Sequence, residues 1–129
     1  MSGVLVVEDD PDVRDVLVRI LGRAGYAATT ASDGVEAIIV AGQQQPDLIL
    51  MDLMLPMLDG LAATRRLKAD PRTAQIPVLA LTGRLMADDE AQARSAGCAG
   101  LILKPCRAER LVAHVATFIG RSDAVGDAR

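Results

Sequence analysis

The sequence predicts an α/β protein in which a parallel sheet carries helices on both faces. Three observations predict it. Short apolar runs, such as Val4-Leu5-Val6-Val7 and Leu48-Ile49-Leu50-Met51, are continuous and do not alternate with polar residues, as befits strands covered on both faces. Longer amphipathic stretches separate these runs. The two kinds of segment alternate five times along 129 residues, a length that suits one compact domain.

Residues 4–7 form the first strand. Asp10-Pro11 follows, a good cap residue before a proline suited to the first helical position. Val13, Val16, Leu17, Ile20 and Leu21 then recur at three and four residues and form one inward helical face, which Gly22 or Gly25 can end. Residues 26–30 read as the second strand. Asp33-Gly34-Val35-Glu36 has the pattern of a capping box and opens a helix through about Gly42, broken by Gln43-Gln44-Gln45-Pro46. Residues 48–51 are the third strand. The segment 52–59 contains Pro56 and reads as a loop. A helix over about 60–69 is stopped by Asp70-Pro71. Residues 77–81 are the fourth strand. The helix over about 87–96 is rich in alanine and poor in large apolar residues, so weak docking is expected. Residues 101–103 are the fifth strand. The last helix covers about 107–119, with Leu111, Val112, Val115 and Ile119 facing inward. One domain over residues 1–120 with a short, disordered polar tail over 121–129 is therefore expected.

Half of the residues are hydrophobic, enough for a real core, yet Tyr26 and Phe118 are the only aromatics. Packing must rely on Val, Leu, Ile, Met and Ala. The net charge of −3 argues against a nucleic-acid surface in this domain, and Arg65, Arg66 and Lys68 read as a solvated helix face. The apolar runs are far shorter than the roughly 20 residues a membrane helix needs. Cys98 and Cys106 have neither C-x-x-C nor metal-ligand spacing, which suits free thiols in a reducing cytoplasm. His114 reads as an exposed helical histidine, and Met51, Met54 and Met57 as gap-filling side chains.

In open parallel sheets the functional crevice lies beyond the carboxyl ends of the strands. The first strand is followed by Glu8, Asp9 and Asp10, the last of these a helix cap. The third is followed by Asp52, the fourth by Thr82 and Gly83, and the fifth by Lys104 and Pro105. If these four strands lie side by side, acids, a hydroxyl and an ammonium share one cleft. Carboxylates so close repel one another, and a hard divalent cation relieves that. Magnesium suits the role, because it binds through one or two carboxylates, keeps waters and recruits phosphate oxygens. A carboxylate can serve as nucleophile toward phosphorus, with the cation and a lysine balancing charge on the transferring group.

V-V-E-D-D-P, D-L-I-L-M-D-L-M-L-P-M-L-D-G, P-V-L-A-L-T-G and L-I-L-K-P, in this order and spacing, resemble the receiver domains of two-component signalling. The resemblance covers residues 4–119. It implies a flavodoxin-like, doubly wound five-stranded sheet of order 2-1-3-4-5. It implies that Asp52 is the phosphoacceptor and that Asp9 and Asp52 ligate Mg2+. Glu8 binds or orients metal waters, and the backbone carbonyl of Met54 completes the protein ligands. Thr82 becomes the switch hydroxyl and Lys104 the partner of the phosphoryl group, with a cis peptide between Lys104 and Pro105. The donor is a histidine kinase or a histidine phosphotransfer protein. A downstream protein reads the face made by the fourth helix, fifth strand and fifth helix, and the domain is a monomer or a phosphorylation-dependent dimer. It is not an enzyme with a separate substrate, since phosphatases of the haloacid-dehalogenase type need an acid where Met54 stands. Three positions depart from the common pattern: Leu101 replaces a frequent aromatic, Met54 is apolar beside the acceptor, and Arg84 brings a charge close to Thr82.

Overall fold

The computed structural model describes residues 2–83 and 89–120. Arg84, the expected start of the fourth helix near residue 87 and the tail 121–129 lie outside the described residues. The elements run β1 (Gly3–Val7), α1 (Pro11–Arg23), β2 (Ala27–Ala31), α2 (Gly34–Gln44), β3 (Leu48–Asp52), α3 (Gly60–Ala69), β4 (Val78–Thr82), α4 (Asp89–Ala96), β5 (Gly100–Leu103) and α5 (Ala108–Val115). All four strand pairings are parallel and the order is β2-β1-β3-β4-β5, as the resemblance implied. No described helix is long and apolar enough to cross a membrane.

Strand alternation divides the core in two. Leu5, Val7, Ile49, Met51, Val78 and Ala80 face α2, α3 and α4, while Val4, Val6, Leu48, Leu50, Leu79, Leu81 and Ile102 face α1 and α5. The shortage of aromatics is met by division of labour on the first face. There the strands supply most of the large side chains, and the helices supply Leu67 together with Ala37, Ala41, Ala63 and Ala93, which let helix and sheet approach closely. The buried described side chains of α4 are alanines, Ala93 and Ala96, and its exposed surface carries a Glu90–Arg94 pair at 3.2 Å. That agrees with the weak docking expected of it.

The caps read from sequence form. The Asp10 carboxylate accepts from the amides of Asp12 and Val13, and Asp33 from that of Glu36. The reciprocal bond from Glu36 reaches the amide of Ser32 at 2.7 Å, one residue before the cap. Other details differ from expectation. Val16 is half-exposed, because α1 carries a wider apolar stripe than the sheet covers. The α-helical part of α5 ends at Val115, and residues Ala116–Gly120 continue as a π-helical turn. There the Thr117 hydroxyl donates to the Ala113 carbonyl at 2.9 Å.

Two glycines hold the β3–α3 loop down. A Cβ on Gly34 would collide with the Leu58 carbonyl oxygen, and one on Gly60 with the carbonyl oxygen of Asp52. The Gly60 Cβ would also lie 2.8 Å from the Leu53 Cα. Backbone cannot yield as a side-chain tip can, so Gly60→Ala is expected to destabilise the fold by about 2–3 kcal/mol. The check is the urea midpoint, which should fall while the slope of the transition holds.

Candidate functional site

The register explains why particular side chains meet. Val7 pairs with Met51, so the next residues, Glu8 and Asp52, end neighbouring strands at the same level. Asp52 pairs with Leu81, and Thr82 with Leu103, the residue before Lys104. Alternation then assigns faces. Glu8, Asp52 and Lys104 share the parity of Val6, Leu50 and Ile102, which places them on the side of α1 and α5. Thr82 has the parity of Ala80 and belongs to the side of α4.

The contacts follow this division. Lys104 Nζ donates to Glu8 Oε1 at 2.9 Å and to Asp52 Oδ2 at 3.3 Å. The second Asp52 oxygen, Oδ1, accepts from the backbone amide of Met54 at 2.9 Å. Glu8 Oε2 accepts from the Asp10 amide at 3.3 Å. Glu8 and Asp52 are buried, whereas Asp9 is exposed at the mouth. Thr82 is buried and lines a neighbouring cleft of about 560 Å³ with Met54, Asp59, Gln92 and three leucines. The Lys104–Pro105 peptide is cis.

The site is charged and partly withheld from water. Burial raises the Glu8 carboxyl above its ordinary value, the neighbouring Asp52 adds to this, and the Lys104 bond only partly opposes it. Burial alone would lower Lys104, but the bond to Glu8 and the charges of Asp52 and Glu8 outweigh it and raise the ammonium. One ammonium does not balance three carboxylates. Glu8, Asp9 and Asp52 each offer an oxygen, and these atoms lie within 4.8 Å of one another. An all-oxygen, anionic donor set of this kind fits a hard divalent cation such as Mg2+ and lacks the nitrogen or sulfur donors typical of zinc.

Sequence reasoning missed two contributors. Arg14 reaches from α1 to donate to the backbone carbonyl of Glu8 at 2.9 Å, fixing the turn that carries the acids. Its signal was its place one helical turn beyond the Asp10 cap, on the side of the strand end. Gly60, read only as the start of the third helix, also provides the space into which the Asp52 carbonyl fits.

Comparison with known proteins agrees with this arrangement. Residues 4–116 match the family described as response regulator receiver domain. The DNA-binding dual master transcriptional regulator RpaA of Synechocystis is 39% identical over 128 residues; the match takes in 99% of this chain and 53% of that protein. The chain thus spans about half the length of that relative. The polar-differentiation response regulator DivK of Brucella anthropi is 35% identical over 92% of this chain and 97% of its own length. Among solved structures, Vibrio cholerae CheY4 superposes with a TM-score of 0.88 at 27% identity, covering 92% of this chain and 99% of that one. The receiver domain of the sensor histidine kinase PA1611 from Pseudomonas aeruginosa, with a magnesium ion in its active-site cleft, gives 0.86 at 34% identity. It covers 92% of this chain, which in turn covers 98% of that domain. With five parallel strands in this order and a family match over most of its length, the chain belongs to the response regulator receiver domains of two-component signalling.

Proposed function

We propose that this receiver domain accepts a phosphoryl group on Asp52 from a histidine kinase or histidine phosphotransfer protein and thereby switches a partner-binding surface. The observation that carries the proposal is the placement of the Lys104 ammonium against both Asp52 and Glu8, at 3.3 and 2.9 Å, inside a cluster of three carboxylates. An Asp52 oxygen attacks phosphorus, and the P–N bond to the donor histidine breaks as the acyl phosphate forms. Lys104 faces the incoming negative charge. Asp9 and Asp52, with the Met54 carbonyl, would hold Mg2+, and Glu8 would bind or orient its waters. When bound, the cation screens the phosphoryl oxygens from the carboxylates. The Thr82 hydroxyl hydrogen-bonds a phosphoryl oxygen, and its displacement toward Asp52 carries the change to α4 and β5.

In this reading the domain occupies residues 1–120 in the cytoplasm, as a monomer or a phosphorylation-dependent dimer. It has no separate substrate, and a downstream protein reads the face of α4, β5 and α5. Incubation with a small phosphodonor such as phosphoramidate is expected to add the mass of one phosphoryl group in the presence of Mg2+. Intact mass spectrometry checks this. No added mass with either a small donor or a phosphorylated phosphotransfer domain would reject the reading.

A further inference from the structure

We propose that Met54 and Met57 are oxidation sites for hydroperoxides, and that the sulfoxide formed at Met54 shortens the life of a phosphoryl group on Asp52. The second half rests on the acceptor role of Asp52 proposed above. The three methionines near the acceptor read as gap-filling side chains, yet only one fills a gap. Met51 is fully buried within β3. Met54 is 70% and Met57 84% exposed, which makes them the two most exposed large apolar side chains among the described residues. Both stand in the loop between β3 and α3. A large apolar side chain left in water forgoes about 1.5–3 kcal/mol of burial, so packing does not account for them. What sets a thioether apart from leucine or isoleucine is its chemistry: its sulfur accepts oxygen from peroxides, and the product is polar.

The step is a two-electron oxidation. The sulfur lone pair attacks one oxygen of hydrogen peroxide, so that an S–O bond forms as the O–O bond breaks. The departing hydroxide takes the proton of the transferred oxygen and leaves as water. Sulfur is oxidised and the peroxide is reduced, with no further reagent. Of the two thiols, Cys98 competes poorly. It is buried, and burial pushes its thiol up, which leaves little reactive thiolate. Cys106 is half-buried, with its sulfur 3.5 Å from the Arg107 carbonyl oxygen.

Met54 stands where the change reaches the acceptor. Its backbone amide donates to Asp52 Oδ1 at 2.9 Å. Its side chain lines the cleft of about 560 Å³ that Thr82, Asp59 and Gln92 also line. An acyl phosphate is lost when water attacks phosphorus, and a thioether offers that water only a weak acceptor. A sulfoxide oxygen is a far better acceptor and holds water in the cleft. Met57 does not line this cleft, so its oxidation should leave the phosphoryl lifetime alone.

The test treats the full chain with hydrogen peroxide, removes the peroxide, and maps sulfoxides by digestion and mass spectrometry. Met54 and Met57 are expected to oxidise at least about ten times faster than Met51, in line with their exposure. Equal rates, or Met51 first, would overturn the assignment. Treated and untreated protein are then loaded from phosphoramidate with Mg2+, and the decay of the added mass is followed. Oxidation should shorten the lifetime about two- to ten-fold, the worth of one added hydrogen bond to the attacking water. The effect should vanish in Met54→Leu and persist in Met57→Leu, each variant being compared with its own untreated form. Methionine sulfoxide reductases, which leave oxidised cysteines as they are, should restore the longer lifetime. An unchanged or longer lifetime, an effect that survives Met54→Leu, or one that the reductases cannot reverse would overturn the proposal. If the untreated chain takes no phosphoryl group from any donor, the Asp52 reading falls and takes the second half with it, while selective sulfoxides at Met54 and Met57 still uphold the oxidation sites. If phosphorylation occurs and the mapping shows no selectivity, the proposal falls alone.

Discussion

Asp52→Asn is expected to remove phosphoryl labelling altogether, a loss of at least about a thousand-fold, because an uncharged amide cannot replace the attacking carboxylate. The substitution is nearly isosteric and preserves an oxygen for the Met54 amide, which Asp52 Oδ1 now accepts at 2.9 Å. Lys104 retains its shorter contact with Glu8 and is not left unpaired. One of the carboxylates that raise Glu8 disappears, and relief of that repulsion should leave the metal-free variant more stable than the parent despite the weakened Lys104 contact. A variant that fails to label and yet melts higher thus separates loss of chemistry from loss of fold. Acid-labile label that persists in the folded variant would name another acceptor, Asp9 or Glu8, and displace Asp52 from its role.

Much of this site could be read before any coordinates, because a parallel sheet converts chain order into spatial order. The run Leu48-Ile49-Leu50-Met51, short and bounded by breaks, suits a strand covered on both faces, and the acid that ends such a strand emerges at the sheet's carboxyl edge. The same logic places Glu8, Thr82 and Lys104. Finer relations depend on register and on the reach of side chains. Motif order groups Thr82 with Lys104, whereas strand parity sets them on opposite faces of the sheet end. The preference of Lys104 for Glu8 over Asp52 is a matter of tenths of an ångström at the end of a flexible chain. Val16 repeats with its inward neighbours yet lies half-exposed, because periodicity reports a helix face and not the width of the surface opposite it. The close approach at Gly60 leaves no periodic trace, since it is made by backbone alone.

Saturating Mg2+ is expected to raise the stability of the domain, and Asp9→Asn to remove most of that rise. A cation present at one hundred times its dissociation constant contributes about 2.7 kcal/mol, a shift of several degrees in melting temperature for a domain of this size. Asp9 is the proposed ligand to substitute because it is exposed and its carboxylate makes no ion pair among the described residues, so the metal-free fold should hardly notice. The effect should also depend on pH in a defined direction. Glu8 has its folded value raised above 4.5, so the folded protein holds this proton where the unfolded chain has released it. Without metal, its contribution therefore declines as pH rises from about 4.5 through the folded value, and is constant beyond it. Bound Mg2+ requires the ionised carboxylates and reverses this, so the gap between metal-loaded and metal-free melting temperatures should widen over the same interval. Lys104 is raised from 10.5 and stays charged throughout. Remote groups, such as Asp70, whose carboxyl is held low by Arg72, act alike on both curves and cancel in the difference. A Mg2+-induced rise that survives Asp9→Asn would place the cation elsewhere, and a gap that narrows with rising pH would contradict the charge balance assigned to Glu8.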